Sequence, residues 1–253
     1  MPDSELDPMS SILDLGFSNE DVEVRAMRFD GKNLFLLARL SANAEFMVHR
    51  GSEEGGLWAQ VGANMLETPV DMWVDGDNVH LIVNRTDKPG LDCRRLPKTA
   101  TQGTSWEPCT GFPDVVKDGS EDFYSVFAKF AGDATDLAVW FEMKGMDEAT
   151  VALYRKAADS WPEAGAVPTV KPAAWALDKG SVLLGFVGTD APHVLTGVPL
   201  LGGAADLLDL SGLPTPKDKF SGVVGICPAG GKRFVLYLDY ASLNSKLYVY
   251  KNL

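Results

Sequence analysis

The stretch VDMWVDGDNVHLIVN, residues 70–84, joins two apolar segments through Asp75 and Gly76. An Asp-Gly pair between such segments predicts a β-hairpin, because both residue types tolerate the positive φ angles of tight turns. The flanking Val, Ile, Leu and Trp residues favour strands. The same layout occurs four more times, with turns at Asp30-Gly31, Gly132-Asp133, Asp178 to Gly180 and Gly230-Gly231. Successive turns are about 45–57 residues apart, which is the repeat length of four-stranded propeller blades.

These repeats predict an all-β fold, a five-bladed β-propeller with four antiparallel strands in each blade. The fifth copy lacks a fourth strand, and the apolar stretch within residues 10–18 is expected to supply it. Closure by the N-terminal strand would remove an exposed sheet edge. The alternative is a β-sandwich, which also has many short strands. The predicted blades of this single domain, 1–253, are 22–66, 67–116, 121–166, 170–213, and 219–253 with 10–18.

Composition limits the classes of partner. The 253 residues include 35 acidic and 23 basic side chains, for a net charge of −12. Nucleic acids and anionic membranes select basic surfaces, so neither is an expected partner. No apolar run reaches the length of about 18 residues that a membrane-spanning helix needs, and the polar N-terminus does not resemble a signal peptide. Three His and three Cys offer no zinc-type spacing. We therefore expect a monomer without a metal or cofactor.

A second pattern follows the third predicted strand of three copies. Glu53, Gly55 and Trp58 have the spacing of the acid, Gly and Trp of the Asp-box. Thr101, Gly103 and Trp106 repeat that spacing, and Trp161 ends a shorter third copy. The chain therefore resembles sialidase-type propellers, loosely the trans-sialidase branch, over residues 22–253. In this motif the acid caps turn amides, the Gly has positive φ and the Trp packs between strands, so its role is structural.

The resemblance also implies a set of substrate-binding residues, and this sequence departs from it. Sialidases hold the substrate carboxylate with three Arg and pair a Tyr nucleophile with a Glu. Arg25 is the nearest match to the first Arg, but Lys171 stands where the Glu is expected, and the fourth copy contains no Arg. A charged lysine cannot accept the proton of a tyrosine. We therefore predict that the chain does not hydrolyse sialosides.

Two functions remain. The first is a non-catalytic module that binds a glycan or a protein at the funnel face through Arg25, Asp71, Tyr124 and Lys171. The alternative is a five-bladed glycoside hydrolase, whose carboxylates would be Glu23, Asp71, and Glu121 or Asp122, near the starts of three first strands. Two carboxylates flanking a glycosidic bond can serve as nucleophile and acid.

The three cysteines give information about the cellular location of the protein. Cys93 and Cys109 lie in the third and fourth predicted strands of the second copy, where antiparallel neighbours can form a disulfide. Cys227 lies in an apolar strand and is expected to be a free thiol in the core. Together with the sequon at Asn84, the disulfide predicts a secreted or cell-surface protein. Two buried thiols in a cytoplasmic protein are the alternative.

Overall fold

The computed structural model is built entirely from strands and turns in the part that it describes. The described residues are 22–40, 45–52, 58–86, 90–112, 115–116, 126–132, 137–143, 150–156, 160–161, 172–188, 195–199, 206–207, 217–229, 232–241 and 245–251. Among them there is no helix. The all-β prediction is confirmed.

The strands form five sheets in chain order. Sheet 1 contains β1 (Val22–Phe29), β2 (Asn33–Leu40), β3 (Phe46–Ser52) and β4 (Ala59–Met65). Sheet 2 contains β5 (Pro69–Val74), β6 (Asn78–Asn84), β7 (Gly90–Pro97) and β8 (Glu107–Pro108), and β9 (Val115–Val116) pairs with β7. Sheet 3 contains β10 (Val126–Gly132), β11 (Leu137–Met143) and β12 (Thr150–Arg155). Sheet 4 contains β13 (Ala174–Asp178), β14 (Ser181–Gly185), β15 (Leu195–Pro199) and β16 (Asp206–Leu207). Sheet 5 contains β17 (Gly222–Ala229), β18 (Lys232–Asp239) and β19 (Lys246–Lys251).

All the pairings between these strands are antiparallel, and in each sheet consecutive strands are hydrogen-bonded neighbours. This up-and-down topology follows from the short turns, since a two- to four-residue turn can only join antiparallel strands. Sheets 1, 2 and 4 each contain a complete antiparallel path of four strands, as the repeat predicts.

The turn between the first and second strands is built in the same way in sheets 1 and 2. Asp75 Oδ1 accepts hydrogen bonds from the backbone N–H groups of Asp77, at 2.9 Å, and Asn78, at 2.6 Å. Asp30 accepts the corresponding bonds in sheet 1. In sheet 4 the turn instead uses two consecutive positive φ angles, 50° at Lys179 and 76° at Gly180. In these three described hairpins an aspartate or a glycine therefore fixes the turn locally.

The sheets pack face to face, and β6 shows why the second strands are apolar throughout. Val79, Leu81 and Val83 belong to a buried cluster shared with sheet 1, whereas Ile82 belongs to a second cluster shared with sheet 3. A strand covered on both faces needs apolar side chains at successive positions, not only at alternate ones. The core is thus a series of layers between neighbouring sheets.

The first strands define the order of packing. Strand β1 packs against β5, β5 against β10, β10 against β13, and β13 against β17. Comparable packing of β17 against β1 is not found among the described residues, so the ring is not closed there. The proposed closing segment, residues 10–18, lies outside the described part of the chain.

Replacement of Leu81 by alanine should lower the free energy of unfolding by about 2–5 kcal/mol, because the side chain is fully buried between sheets 1 and 2. Leu66→Ala is the matched control, since Leu66 is 74% exposed; its effect should stay within about 0.5 kcal/mol. Urea unfolding measures both. Equal effects of the two substitutions would show that β6 is not covered on both faces.

Candidate functional site

One cavity brings together the first strands of all five sheets. Its volume is about 970 Å³. Its wall is formed by residues 28–30 of β1 and its turn, 73–76, 130–132, 173–179 and 224–228, together with Lys98 and Lys232. For sheets 1 to 3 these are the ends of the first strands, where each strand enters its turn. The cavity therefore lies at the turn end of the strands, and its wall combines aromatic rings, backbone and charged groups.

An ion pair between adjacent sheets fixes each of three turn aspartates in this wall. Asp30 of sheet 1 pairs with Lys98 of sheet 2 at 2.9 Å. Asp75 of sheet 2 pairs with Lys156, which follows β12 of sheet 3, at 3.3 Å. In sheet 4, Asp178 pairs with Arg233 of sheet 5. The same device is thus used three times, and each carboxylate joins its own turn to the next sheet.

The contacts of the first two aspartates favour the ionised carboxylate. Burial alone would raise the pKa of Asp30, but hydrogen bonds from the backbone of Asn33, from Lys98 and from the backbone of Lys32 lower it to about 2. Burial opposes ionisation of Asp75 as well, yet hydrogen bonds from His80 and from the backbone of Asn78 and Asp77 hold its pKa well below the usual range. Neither group is protonated near neutral pH, so neither can act as a general acid there.

Asp71 is a fully buried carboxylate below this wall. Its Oδ1 lies 3.0 Å from the guanidinium of Arg28 in β1 and 3.8 Å from Nζ of Lys129 in β10. Its Oδ2 accepts a hydrogen bond of 2.9 Å from the backbone N–H of Phe130. A single side chain of sheet 2 therefore links sheets 1 and 3. Asp71 does not line the cavity itself, but it positions Arg28, which does.

Two tryptophans, Trp73 and Trp175, line the wall together with Phe29 and Phe130. The guanidinium of Arg28 lies 5.6 Å from the ring centroid of Trp73, and Nζ of Lys129 lies 5.7 Å from that of Trp175. The indole N–H of Trp175 donates to the carbonyl oxygen of Phe130 at 2.9 Å. These cation–π contacts and the hydrogen bond connect first strands of adjacent sheets and hold the rings in place.

Two donors at the cavity are buried without an acceptor. Nε of Arg28 and Nε1 of Trp73 find no hydrogen-bond partner among the described residues. A buried donor without a partner costs free energy comparable to a lost hydrogen bond, and these two are covered by the chain itself. Lys179 and Lys232 also line the cavity and form no ion pair with any described acid. These two lysines are therefore available to a ligand as charged donors.

The residues predicted as binding or catalytic do not all meet at this cavity. Glu23 and Arg25 lie near the start of β1, where Glu23 is paired with Arg25 and, at 2.6 Å, with Arg39. They are not part of the cavity wall. Among the predicted residues that the structure describes, Asp71 alone contacts a wall residue, Arg28. The predicted residues Tyr124, Lys171, Glu121 and Asp122 lie outside the described residues.

The residues predicted to form Asp-boxes have structural contacts where they are described. Gly103 has a φ of 86°, and the indole N–H of Trp106 donates to the carbonyl oxygen of Ala63 in β4 at 2.9 Å. Thr101 contributes its backbone carbonyl, which accepts from Gly62. These contacts join sheet 2 to sheet 1.

In the first and third predicted boxes, the tryptophans are the described residues. Trp58 is half-buried and lies against Gly51, and Trp161 is buried with its ring edge against Phe112. Glu53 and Gly55 lie outside the described residues. The Asp-box interpretation stays a prediction.

The predicted disulfide between Cys93 and Cys109 is present. Cys227 is free as predicted, but it is exposed, so its placement in the core was wrong. The neighbour of the disulfide, His80, was not among the predicted site residues. His80 is fully buried in β6, with Nε2 2.7 Å from Asp75 Oδ2 and Nδ1 3.9 Å from Cys109 Sγ. Burial lowers the pKa of His80 below its ordinary value of 6.5, against the opposing effect of Asp75. One feature of the sequence could have indicated His80. It is a polar residue two positions before Ile82 in an apolar strand, so its side chain lies on the same face as Ile82, toward sheet 3.

No family model and no curated protein matches the chain. Solved structures do resemble it. A prolyl endopeptidase structure matches with a TM-score of 0.53 at 17% identity, over 90% of this chain and 33% of that one. A post-proline cleaving enzyme from Rickettsia typhi gives 0.51 at 10% identity, over 91% and 36%. The chain thus spans about a third of these two proteins. A β-xylosidase, RS223, gives 0.40 at 10% identity, over 92% of each chain, which is too weak to support an argument.

The fold is propeller-like. The five antiparallel sheets around one cavity and the two structures above 0.5 agree on this. At such low identity the likeness shows the fold alone, and it gives no specific support to a sialidase. No segment of the described chain forms a helix with the length and apolar character that crossing a bilayer requires.

Stability at low pH should depend on Asp30. Its folded-state pKa, about 2, is below the ordinary value of 3.8, so its contribution is present above pH 4 and is lost as the pH falls from about 4 to 2. Asp30→Asn should therefore flatten the pH dependence of the free energy of unfolding over this interval. Asp77→Asn, in the neighbouring turn, controls for the loss of one negative charge. A wild-type slope in Asp30→Asn would contradict the assignment.

Proposed function

We propose that the chain is a non-catalytic, propeller-type binding module that holds a glycan in the central cavity. The observation that carries the proposal is a concave wall formed by all five first strands, in which Lys179 and Lys232 have no acidic partner among the described residues. Ligand sites are typically concave, largely apolar, and supplied with a few fixed polar groups. A glycan provides many acceptor oxygens for these lysines and apolar C–H surfaces for the rings of Trp73 and Trp175.

The charges of the cavity wall favour a glycan that carries an acidic group. Asp30, Asp75 and Asp178 are each engaged by a cation of the neighbouring sheet, whereas Lys179 and Lys232 have no acidic partner among the described residues. An acidic substituent on the glycan would gain charge-assisted hydrogen bonds from these lysines. A protein ligand, the other class expected from the sequence, would have to insert an acidic side chain into the same cavity.

The state of the carboxylates argues against the alternative, a glycoside hydrolase. Such an enzyme needs one carboxyl group with a raised pKa as the acid and a second one free to attack. Asp71 is held by two cations and the N–H of Phe130, and Glu23 by two arginines. Glu121 and Asp122 stay candidates of the alternative. The proposed function needs no group to gain or lose a proton.

We further propose that the five sheets form a five-bladed, sialidase-like ring, closed by residues 10–18 as the fourth strand of sheet 5. Strand β19 is the edge of that sheet and exposes Leu247 and Val249 at 58% and 68%. Strand β1, at the other end of the series, exposes Met27 and Phe29. Exposed apolar edges of this kind are a liability that a closing strand would remove.

The disulfide favours an oxidising environment, and we propose that the protein is secreted or displayed at the cell surface. In the cytoplasm, the alternative location, the two cysteines would be expected as thiols.

The binding proposal is tested with a glycan array, followed by calorimetric titration of the bound glycans. Lys232→Ala should weaken binding roughly tenfold, because a hydrogen bond to a charged group is worth about 1.5–3 kcal/mol. The matched control is Lys246→Ala, since Lys246 is exposed on β19 and does not line the cavity.

A parallel panel of fluorogenic substrates separates binding from catalysis. We expect no turnover of sialosides or of neutral arabino- and fructo-oligosaccharides. Turnover of a neutral sugar would favour the hydrolase, and turnover of a sialoside would refute the interpretation of Lys171. If Lys232→Ala binds the glycan as strongly as the wild type, the cavity is not the glycan-binding site.

Closure is tested by truncation. Deletion of residues 1–18 should lower the melting temperature by about 5–10 °C, because loss of a packed strand costs several kcal/mol and each kcal/mol corresponds to about 2–4 °C in a chain of this size. Deletion of residues 1–9 alone should leave the melting temperature nearly unchanged. If both truncations melt at the wild-type temperature, residues 10–18 do not close the ring.

A further inference from the structure

We propose that His80, Cys93 and Cys109 form a Zn²⁺ site when the Cys93–Cys109 disulfide is reduced. The three side chains are buried, and their ligand atoms lie within 4.8 Å of one another. Sulfur and imidazole nitrogen are the ligands that Zn²⁺ prefers. The three ligands do not line the cavity described above, although Asp75, which bonds to His80, does; the proposal does not rest on glycan binding.

The separation of His80 Nδ1 from Cys109 Sγ is close to that of a tetrahedral site. With Zn–S near 2.3 Å and Zn–N near 2.0 Å, the ligand atoms of a tetrahedral site lie about 3.5–3.8 Å apart. Nδ1 of His80 and Sγ of Cys109 are 3.9 Å apart in the oxidised protein. The backbone already holds the two cysteines together, because the N–H of Cys109 donates to the carbonyl oxygen of Cys93 at 2.8 Å. Rotation of the freed thiols is then sufficient to bring the sulfurs to coordination distance.

Asp75 gives His80 the orientation that metal-binding histidines usually have. A carboxylate can only accept, so the short contact of 2.7 Å to Asp75 Oδ2 is a hydrogen bond when the imidazole proton is on Nε2. The ammonium of Lys156 lies 3.4 Å from the same nitrogen and 3.3 Å from Asp75 Oδ2, to which it donates. Nδ1 is left with its lone pair on the side of Cys109. A histidine that ligates zinc commonly donates its other N–H to a carboxylate in this way, and removal of that carboxylate costs 10–100-fold in affinity. Asp75 is thus a positioning residue and not a ligand.

The charges also balance. A dithiol reductant supplies two electrons and two protons, breaks the Sγ–Sγ bond and is itself oxidised to a disulfide; a phosphine does the same with one water molecule, which supplies both protons and the oxygen of the phosphine oxide. Zn²⁺ then displaces the two thiol protons to solvent and forms two Zn–S bonds and one Zn–N bond. Two thiolates and a neutral imidazole give a complex with no net charge, which is the form that a buried site accepts at least cost. Three protein ligands leave the fourth position to water.

Cobalt(II) titration of the full chain tests the site. After treatment with a phosphine reductant, one equivalent of Co²⁺ should produce thiolate–cobalt charge-transfer absorption and tetrahedral d–d bands, and Zn²⁺ should displace it. The oxidised chain should give neither signal. Cys109→Ser should abolish the charge-transfer band, and Cys227→Ser should leave it unchanged. A reduced wild-type chain without thiolate–cobalt absorption would overturn the proposal.

Two further measurements do not depend on a stable cysteine variant. In the reduced wild-type chain, Zn²⁺ should slow alkylation of Cys93 and Cys109 but not of the exposed Cys227, as mapped by mass spectrometry. Equal alkylation with and without Zn²⁺ would contradict the site. Asp75→Asn should weaken Co²⁺ binding 10–100-fold. The matched control is Asp30→Asn, which removes the equivalent turn carboxylate of sheet 1. Equal affinity in the two variants would refute the role of Asp75.

Discussion

The buried carboxylate of Asp71 is the contact on which the arrangement of the first three sheets depends. It belongs to sheet 2, yet it binds Arg28 of sheet 1 and both Lys129 and the backbone of Phe130 in sheet 3. A buried charge is tolerated only when it is paired and hydrogen-bonded, so these three partners must stay in place for the chain to fold around it. The position of Arg28, and with it the rim of the cavity, follows from that requirement.

The turn aspartates of the cavity wall also link neighbouring sheets through ion pairs. Each of Asp30, Asp75 and Asp178 bonds to a cation of the following sheet, so the hairpin that a local sequence motif creates also sets the position of its neighbour. Each of these carboxylates is thereby neutralised by a cation of the protein, whereas Lys179 and Lys232 of the wall have no acidic partner among the described residues. The wall therefore favours a ligand with acceptor or acidic groups.

The sequence predicts the local elements well and the contacts between sheets poorly. Asp75 and Gly76 dictate a hairpin because the bonds that form it span three residues. The partner of Asp75, Lys156, lies 81 residues away and is determined by the packing of sheet 3 on sheet 2. The sequence indicates Asp71 as a candidate site residue, because an acid is unusual in an apolar strand. However, the pairing of β5 with β6 is irregular between Pro69 and Asp71, and simple alternation does not reveal such an irregularity.

The site beside the disulfide illustrates the same limit. Spacing alone predicted the pairing of Cys93 with Cys109, because adjacent antiparallel strands bring such residues together. His80 belongs to β6, and its contact with Cys109 depends on how the segment after β8 folds back against that strand. The sequence contains no zinc-binding motif for this reason. The ligands come from three segments of one sheet and not from one short loop.

Urea unfolding of Asp71→Asn tests the central claim, that the acid is a structural link and not a catalytic group. The substitution leaves Arg28 and Lys129 without their shared carboxylate, so the free energy of unfolding should fall by about 3 kcal/mol. A variant that unfolds with the wild-type free energy would contradict this account, and would leave Asp71 open to the catalytic role that a glycoside hydrolase would give it.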